Sequence, residues 1–320
     1  MTKRIRNLLG LVAAVALAAP AYAGFSLVDD GVGVTVLEDG EAVLVYNHGA
    51  VEPETGDGDF ADQYRRASYI HPLYGLGGDV ITEDFPGDHP HHRGVFWTWP
   101  QIHHDGEHID LWHLAGRQEF IEWEARNIEW GVEAVEVGHA ALHAVNGWYW
   151  PGDETPFTRE DVRFTVHSAE DGGRAIDFHF TFTNVSDAVV EIRGQSGAGY
   201  GGFNVRPDGD RPEPRFATDE GHYPDDATDL VTPWAAWSAR DGEDGLYSGA
   251  AILPHPDNPT EPQPRWIFRH YGFLGASWPH DNAYPLEPGD SVDLRYRLYV
   301  FEGPADEAPI AAQYSAFIND

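Results

Sequence analysis

The sequence predicts an all-β protein, a large antiparallel β-sandwich with a short C-terminal helix. Three observations carry that expectation. Segments in which apolar and polar residues exchange at every position recur along the chain. The 35 glycines and 23 prolines are spread throughout, as a fold of many strands and turns requires. Helical periodicity is confined to one stretch near the C-terminus.

In chain order, Val32, Val34 and Val36 occupy every second position, and Ala42 to Tyr46 follows as a second strand. Val162 to His167 and Ala175 to Thr183 flank Asp171-Gly172-Gly173, a hairpin turn signal. Ile176, Phe178, Phe180 and Phe182 alternate with Asp177, His179 and Thr181, the period of a half-buried strand. Asn184 to Asp187 reads as a turn into Ala188 to Arg193, and Leu286 to Asp290 as a turn before a closing strand, Val292 to Phe301. Pro304 to Ile318 places Ile310, Tyr314 and Phe317 at helical spacing, and Gly194 to Pro264 reads as mostly loops.

No repeat, low-complexity linker or charge block divides the chain, so residues 24–320 read as one domain. Strand number and size suit a supersandwich of the galactose-mutarotase-like kind, with a jelly roll as the alternative. Lys3, Arg4 and Arg6, the apolar run Leu8 to Ala19, and small residues at Ala21 and Ala23 make an export signal. The apolar run is shorter than the roughly 20 residues that span a bilayer. Cleavage after Ala23 and a periplasmic or extracellular mature protein are expected; an uncleaved anchor is the alternative.

The formal charge is −33, and loss of the signal deepens it to about −36. Such a surface repels nucleic acid and anionic membranes. There is no cysteine, which excludes disulfides, a thiol nucleophile and a thiolate-bound metal. No Gly-x-Ser-x-Gly elbow or His-Glu-x-x-His pair is present, and the glycines from Gly197 to Gly202 lack the strand–helix context of a dinucleotide turn.

Chemistry concentrates in the segment from His71 to Arg93. Asp88, His89, His91, His92 and Arg93 fall within six residues, around Pro90. Imidazoles both give and take protons near neutral pH, and an arginine holds a carboxylate or developing oxyanion. If the stretch is extended, His89, His91 and Arg93 share one face and His92 takes the other. His89 and His91 could instead bind a divalent metal, and a structural calcium is open in so acidic a chain. A second group, His103, His104, His108, Asp110 and His113, either converges on the first or forms a solvated loop. Trp97, Trp99 and Trp112, and later Trp234, suit the stacking of sugar rings, although each alone also suits a core. His71, His255, Arg265 and Tyr271 are further candidates to line the same pocket, and Asp219 is a candidate opposing carboxylate.

These residues resemble a family of exported bacterial proteins, DUF6807, also labelled the PmoA family. The resemblance rests on Tyr69-Ile70-His71-Pro72, on Asp88 to Gly94 with Phe96-Trp97, and on Gly201-Gly202-Phe203-Asn204. Thr218-Asp219-Glu220-Gly221, His255-Pro256-Asp257-Asn258-Pro259 and Arg265-Trp266 extend it over nearly the whole mature chain. The PmoA label borrows from an integral membrane subunit of methane monooxygenase. No later segment here is apolar enough to span a membrane, so that activity is not transferred. Members of the family look like companions of sugar-degrading and sugar-oxidising enzymes, which implies a carbohydrate context by association.

Three functions compete. The first is an enzyme acting on a glycoside or oxidised sugar derivative, with His91 or His92 exchanging the proton, Asp88 fixing the ring, Arg93 holding an oxygen and Asp219 opposing. The second is a metal enzyme with His89 and His91 as ligands. The third is a non-catalytic sugar-binding protein using Trp97, Trp99 and Trp112.

Overall fold

The computed structural model describes residues 24–53, 64–113, 124–150, 152–242, 245–260 and 265–319; the expected export signal lies outside them. Alternation and turn chemistry explain the strands. Asp39-Gly40 and Asp171-Gly172 both adopt positive φ, the conformation of a two-residue hairpin turn. The first joins Gly33–Glu38 to Glu41–Asn47, and the second joins Thr158–His167 to Gly173–Asn184.

Among the described residues the strands form three antiparallel sheets. The first has the order Phe25–Asp29, Gly33–Glu38, Glu41–Asn47, Tyr69–Leu73, Val95–Thr98, Gly202–Val205, Phe273–Ser277, Arg265–Arg269 and Ala227–Leu230. The second has the order Gly221–Tyr223, Arg215–Thr218, Ala235–Arg240, Tyr247–Pro254, Ser291–Glu302, Gly173–Asn184, Thr158–His167, His139–Tyr149 and Glu124–Glu136. A smaller sheet pairs Ala283–Leu286, Val190–Arg193, Gln101–His104 and Glu107–Ile109. The all-β sandwich expectation therefore holds. The region from Gly194 to Pro264 differs from its loop reading: it carries six strands, four of only three or four residues, and the two longer ones, Ala235–Arg240 and Tyr247–Pro254, are buried on both faces and so do not alternate.

The two large sheets pack face to face. Tyr46 meets Phe164, Trp97 meets Phe180, and Phe203 stacks on Tyr296 across the interior. Ile176, Phe178, Phe180 and Phe182 all point into it. Full burial of each contributes about 1.5–3 kcal/mol. The carboxylate of Glu160 also lies inside, accepting hydrogen bonds from Trp97 Nε1 (2.7 Å), Asn146 Nδ2 (2.7 Å) and Trp148 Nε1 (3.1 Å).

The C-terminal helix Ile310–Phe317 lays Ile310 and Phe317 on the outer face of the second sheet, against a cluster with Trp234, Leu253, Tyr299 and Phe301. No helix among the described residues is long and apolar enough to cross a membrane.

Candidate functional site

The outer face of the first sheet builds the site. Tyr69, Phe96, Ile267 and Phe273 project from neighbouring strands and form an apolar floor with Trp112. The segment from Pro86 to Arg93 lies across this floor. It does not run extended: the backbone N–H of His89 donates to the Pro86 carbonyl (3.1 Å), and that of His92 to the His89 carbonyl (2.8 Å). Two successive turns bring all three imidazoles together, which replaces the two-faced arrangement expected of an extended strand. The chain then enters Val95–Thr98 through Gly94, where a Cβ would overlap the Ile70 carbonyl oxygen, so the close approach requires glycine.

The rings form a stack. Tyr271 and His89 lie parallel with centroids 4.7 Å apart, and His92 lies parallel below His89 at 4.8 Å. His91 stands edge-on to His92 at 4.6 Å and reaches His113 at 4.9 Å. Burial lowers the His91 pKa to about 3, reinforced by repulsion from His113 and His89 whenever they carry a proton and by the Arg66 and Arg206 guanidiniums. Burial likewise holds His92 well below its ordinary range. Both are neutral imidazoles at physiological pH and cannot serve as proton donors from the charged form.

Two carboxylate–imidazole pairs flank His91. Asp110 accepts the backbone N–H groups of Trp112 and His113 on Oδ1 (2.9 Å each), and its Oδ2 lies 2.7 Å from His113 Nδ1. That geometry assigns the ring proton to Nδ1 and leaves the Nε2 lone pair free to accept another. On the other side, Asp88 Oδ2 lies 2.9 Å from His89 Nδ1, a close contact that lacks hydrogen-bond alignment, and Asp88 Oδ1 accepts from Arg206 Nη2 at 3.0 Å. Partial burial works against the Asp88 charge, but His89 and Arg206 outweigh it and hold the carboxyl below its usual value. Arg206 also donates through Nε and Nη2 to Glu83 Oε2. Arg66 donates to the Leu111 carbonyl, and burial together with the Arg93 guanidinium pushes its pKa down to about 9.

Several candidates from the sequence lie elsewhere. Arg93 is fully buried beneath the segment, donating to Asp84 and to the Tyr64 carbonyl with its plane over Phe85, so it cannot reach a substrate oxygen. His71 sits beside it, paired with Thr82 Oγ1 at 3.0 Å. Trp97 and Trp99 point into the sandwich, their indole N–H groups committed to Glu160 and the Trp278 carbonyl, and Trp234 is covered under the C-terminal helix. These indoles are core, which corrects their reading as sugar-stacking surfaces; Trp112 is at the site, but as floor. Asp219 is exposed at the turn between Arg215–Thr218 and Gly221–Tyr223, accepting from Thr232 Oγ1 rather than contacting the cluster. His255 and Arg265 line a separate recess.

The second histidine group divides. His103, His104 and His108 belong to the small sheet, where His103 stacks on His108 and His104 receives the Trp150 indole N–H, whereas Asp110 and His113 join the cluster. Arg66, Arg206 and Glu83 had no signal in sequence, being single residues outside any motif. Among the described residues no three His, Asp or Glu side chains are placed to share a metal ion. The rings of His89 and His91, the pair expected to ligate a metal, stand edge-on with centroids 5.7 Å apart.

Solved structures similar in fold include a GH36 α-galactosidase from Geobacillus stearothermophilus, at 12% identity and a TM-score of 0.41, covering 88% of this chain and 41% of that one. A heparan sulfate lyase from Pedobacter heparinus matches at 12% identity and a TM-score of 0.38, covering 90% and 36%. This chain thus spans about two fifths of the length of these proteins. A search of curated protein sequences gives no match. A family model matches residues 33–315, and the chain belongs to that family of unknown function, DUF6807.

Proposed function

We propose that the chain is an enzyme acting by general acid–base catalysis on a sugar-derived substrate, a glycoside or an oxidised sugar, at the histidine cluster. The observation that carries the reading is the Asp110–His113 pair: a carboxylate orients the imidazole, and the partly exposed ring keeps Nε2 open. His113 takes the substrate proton on Nε2, Asp110 stabilises the resulting imidazolium, and His89 with Asp88 is the opposing pair across His91. Neutral His91 offers a hydrogen bond without competing for the proton. Tyr271, partly exposed beside His89, provides an aromatic edge for a sugar ring. Hydrolysis, elimination and epimerisation each need two such groups.

Product analysis by NMR over a panel of glycosides and sugar acids tests the reading. At least one substrate is expected to turn over, and His113→Ala is expected to slow it by about 10²–10⁴-fold while leaving the melting temperature nearly unchanged. Full turnover by His113→Ala removes His113 from the mechanism. Absence of turnover on every member of a broad panel counts against a sugar-directed enzyme.

A further inference from the structure

A recess opens on the inward side of the sheet that carries the histidine cluster on its outward side. In strands Arg265–Arg269 and Phe273–Ser277, the paired residues Trp266 and Ala276 face the recess and the interior, whereas Ile267 and Phe273 face the cluster. Trp266, Trp278, Tyr296, Tyr314, His255 and Arg265 line the recess, with prolines from the flanking loops, around a volume of about 130 Å³. A water needs about 10–15 Å³ measured this way, so the recess holds roughly ten water-sized groups, the scale of one monosaccharide.

Its polar atoms include a buried donor without an acceptor. Trp278 is 1% exposed and its Nε1–H has no acceptor. Tyr296 is 2% exposed and presents its side chain to the recess lining. His255 Nδ1 accepts the backbone N–H of Asp257 at 3.1 Å, which puts the ring proton on Nε2. Burial and the nearby Arg295 lower the His255 pKa and keep the ring neutral. Arg265 brings the one formal positive charge, and Asp229 pairs with it at 3.2 Å. No carboxylate lines the recess among the described residues.

A buried donor without an acceptor, here Trp278 Nε1, costs free energy until a ligand supplies an oxygen. A purely apolar ring leaves it unmet, and an anion finds a cation already paired. We propose that the recess binds one uncharged sugar ring, with its C–H faces against the indole and phenol rings and its oxygens accepting from Trp278 Nε1 and the Tyr296 hydroxyl. This site is separate from the acid–base cluster and does not depend on that reading.

Isothermal titration calorimetry of the chain with methyl glucopyranosides, galactopyranosides, mannopyranosides and xylopyranosides tests the proposal, with glucuronate and phenol as charged and apolar probes. At least one neutral glycoside is expected to saturate a single site, more tightly than either probe. Trp278→Phe and Tyr296→Phe are each expected to weaken that binding by about three- to tenfold, and His113→Ala is expected to retain it. If Trp278→Phe fails to fold, Tyr296→Phe, which removes one oxygen, carries the test. Absence of saturable binding by every neutral glycoside overturns the proposal. So does binding that ignores the folded variants, binding lost with His113, or a preference for glucuronate or phenol.

Discussion

Replacing His91 by Phe changes how the fold responds to acid. In the folded chain, burial above all holds His91 at a pKa of about 3, against about 6.5 for an unperturbed histidine. A group with a depressed folded pKa binds fewer protons folded than unfolded. The neutral ring therefore costs the fold nothing above pH 6.5, and the cost grows as pH falls toward 3. Each pH unit in that window costs about 1.4 kcal/mol, so the folded state loses about 2 kcal/mol at pH 5 through this residue. His91→Phe abolishes the titration. The loss of unfolding free energy between pH 7 and pH 5 should then be smaller in the variant by about that amount. Urea unfolding followed by tryptophan fluorescence measures it, and the response of the many carboxylates, common to both chains, cancels in the difference. Equal losses in the two chains refute the enclosed, neutral imidazole.

Three further substitutions test how the site is held. Gly94→Ala forces a Cβ onto the Ile70 carbonyl, and thermal melting should show a loss of about 1–3 kcal/mol. Trp97→Phe removes one of the hydrogen bonds that buried Glu160 accepts; chemical denaturation should show a loss of about 1–3 kcal/mol, with turnover on any identified substrate retained because the indole is core. Phe317→Ala uncovers the outer face of the second sheet under the C-terminal helix, at a cost of about 3–5 kcal/mol in the same assay.

The class of the fold was legible because its longest strands alternate cleanly: Gly173–Asn184 buries four aromatic or aliphatic side chains on one side, and the Asp171-Gly172 turn before it fixes the register. The short strands between Gly202 and Leu230 were not, since three or four residues cannot establish a period and long-range pairing places them. At the site, the density of histidines marked the right segment, but their roles were hidden. Two turns, not an extended run, decide which rings touch, and burial decides which stay neutral. The Trp97-x-Trp99 pair misled for a simple reason: alternate positions of a strand share a face, and here that face is the interior. His113 was visible only as one member of a diffuse group, because its distinction is the carboxylate three residues earlier, folded back onto Nδ1.

Chemical rescue tests the central claim most directly. With any substrate that the chain turns over, the rate of His113→Ala is measured with and without added imidazole, beside the wild type and a His103→Ala control. If His113 Nε2 receives the proton, imidazole restores His113→Ala in a concentration-dependent manner and leaves His103→Ala, which already works at the wild-type rate, unaffected. A His113→Ala chain that is as active as wild type without imidazole contradicts the account.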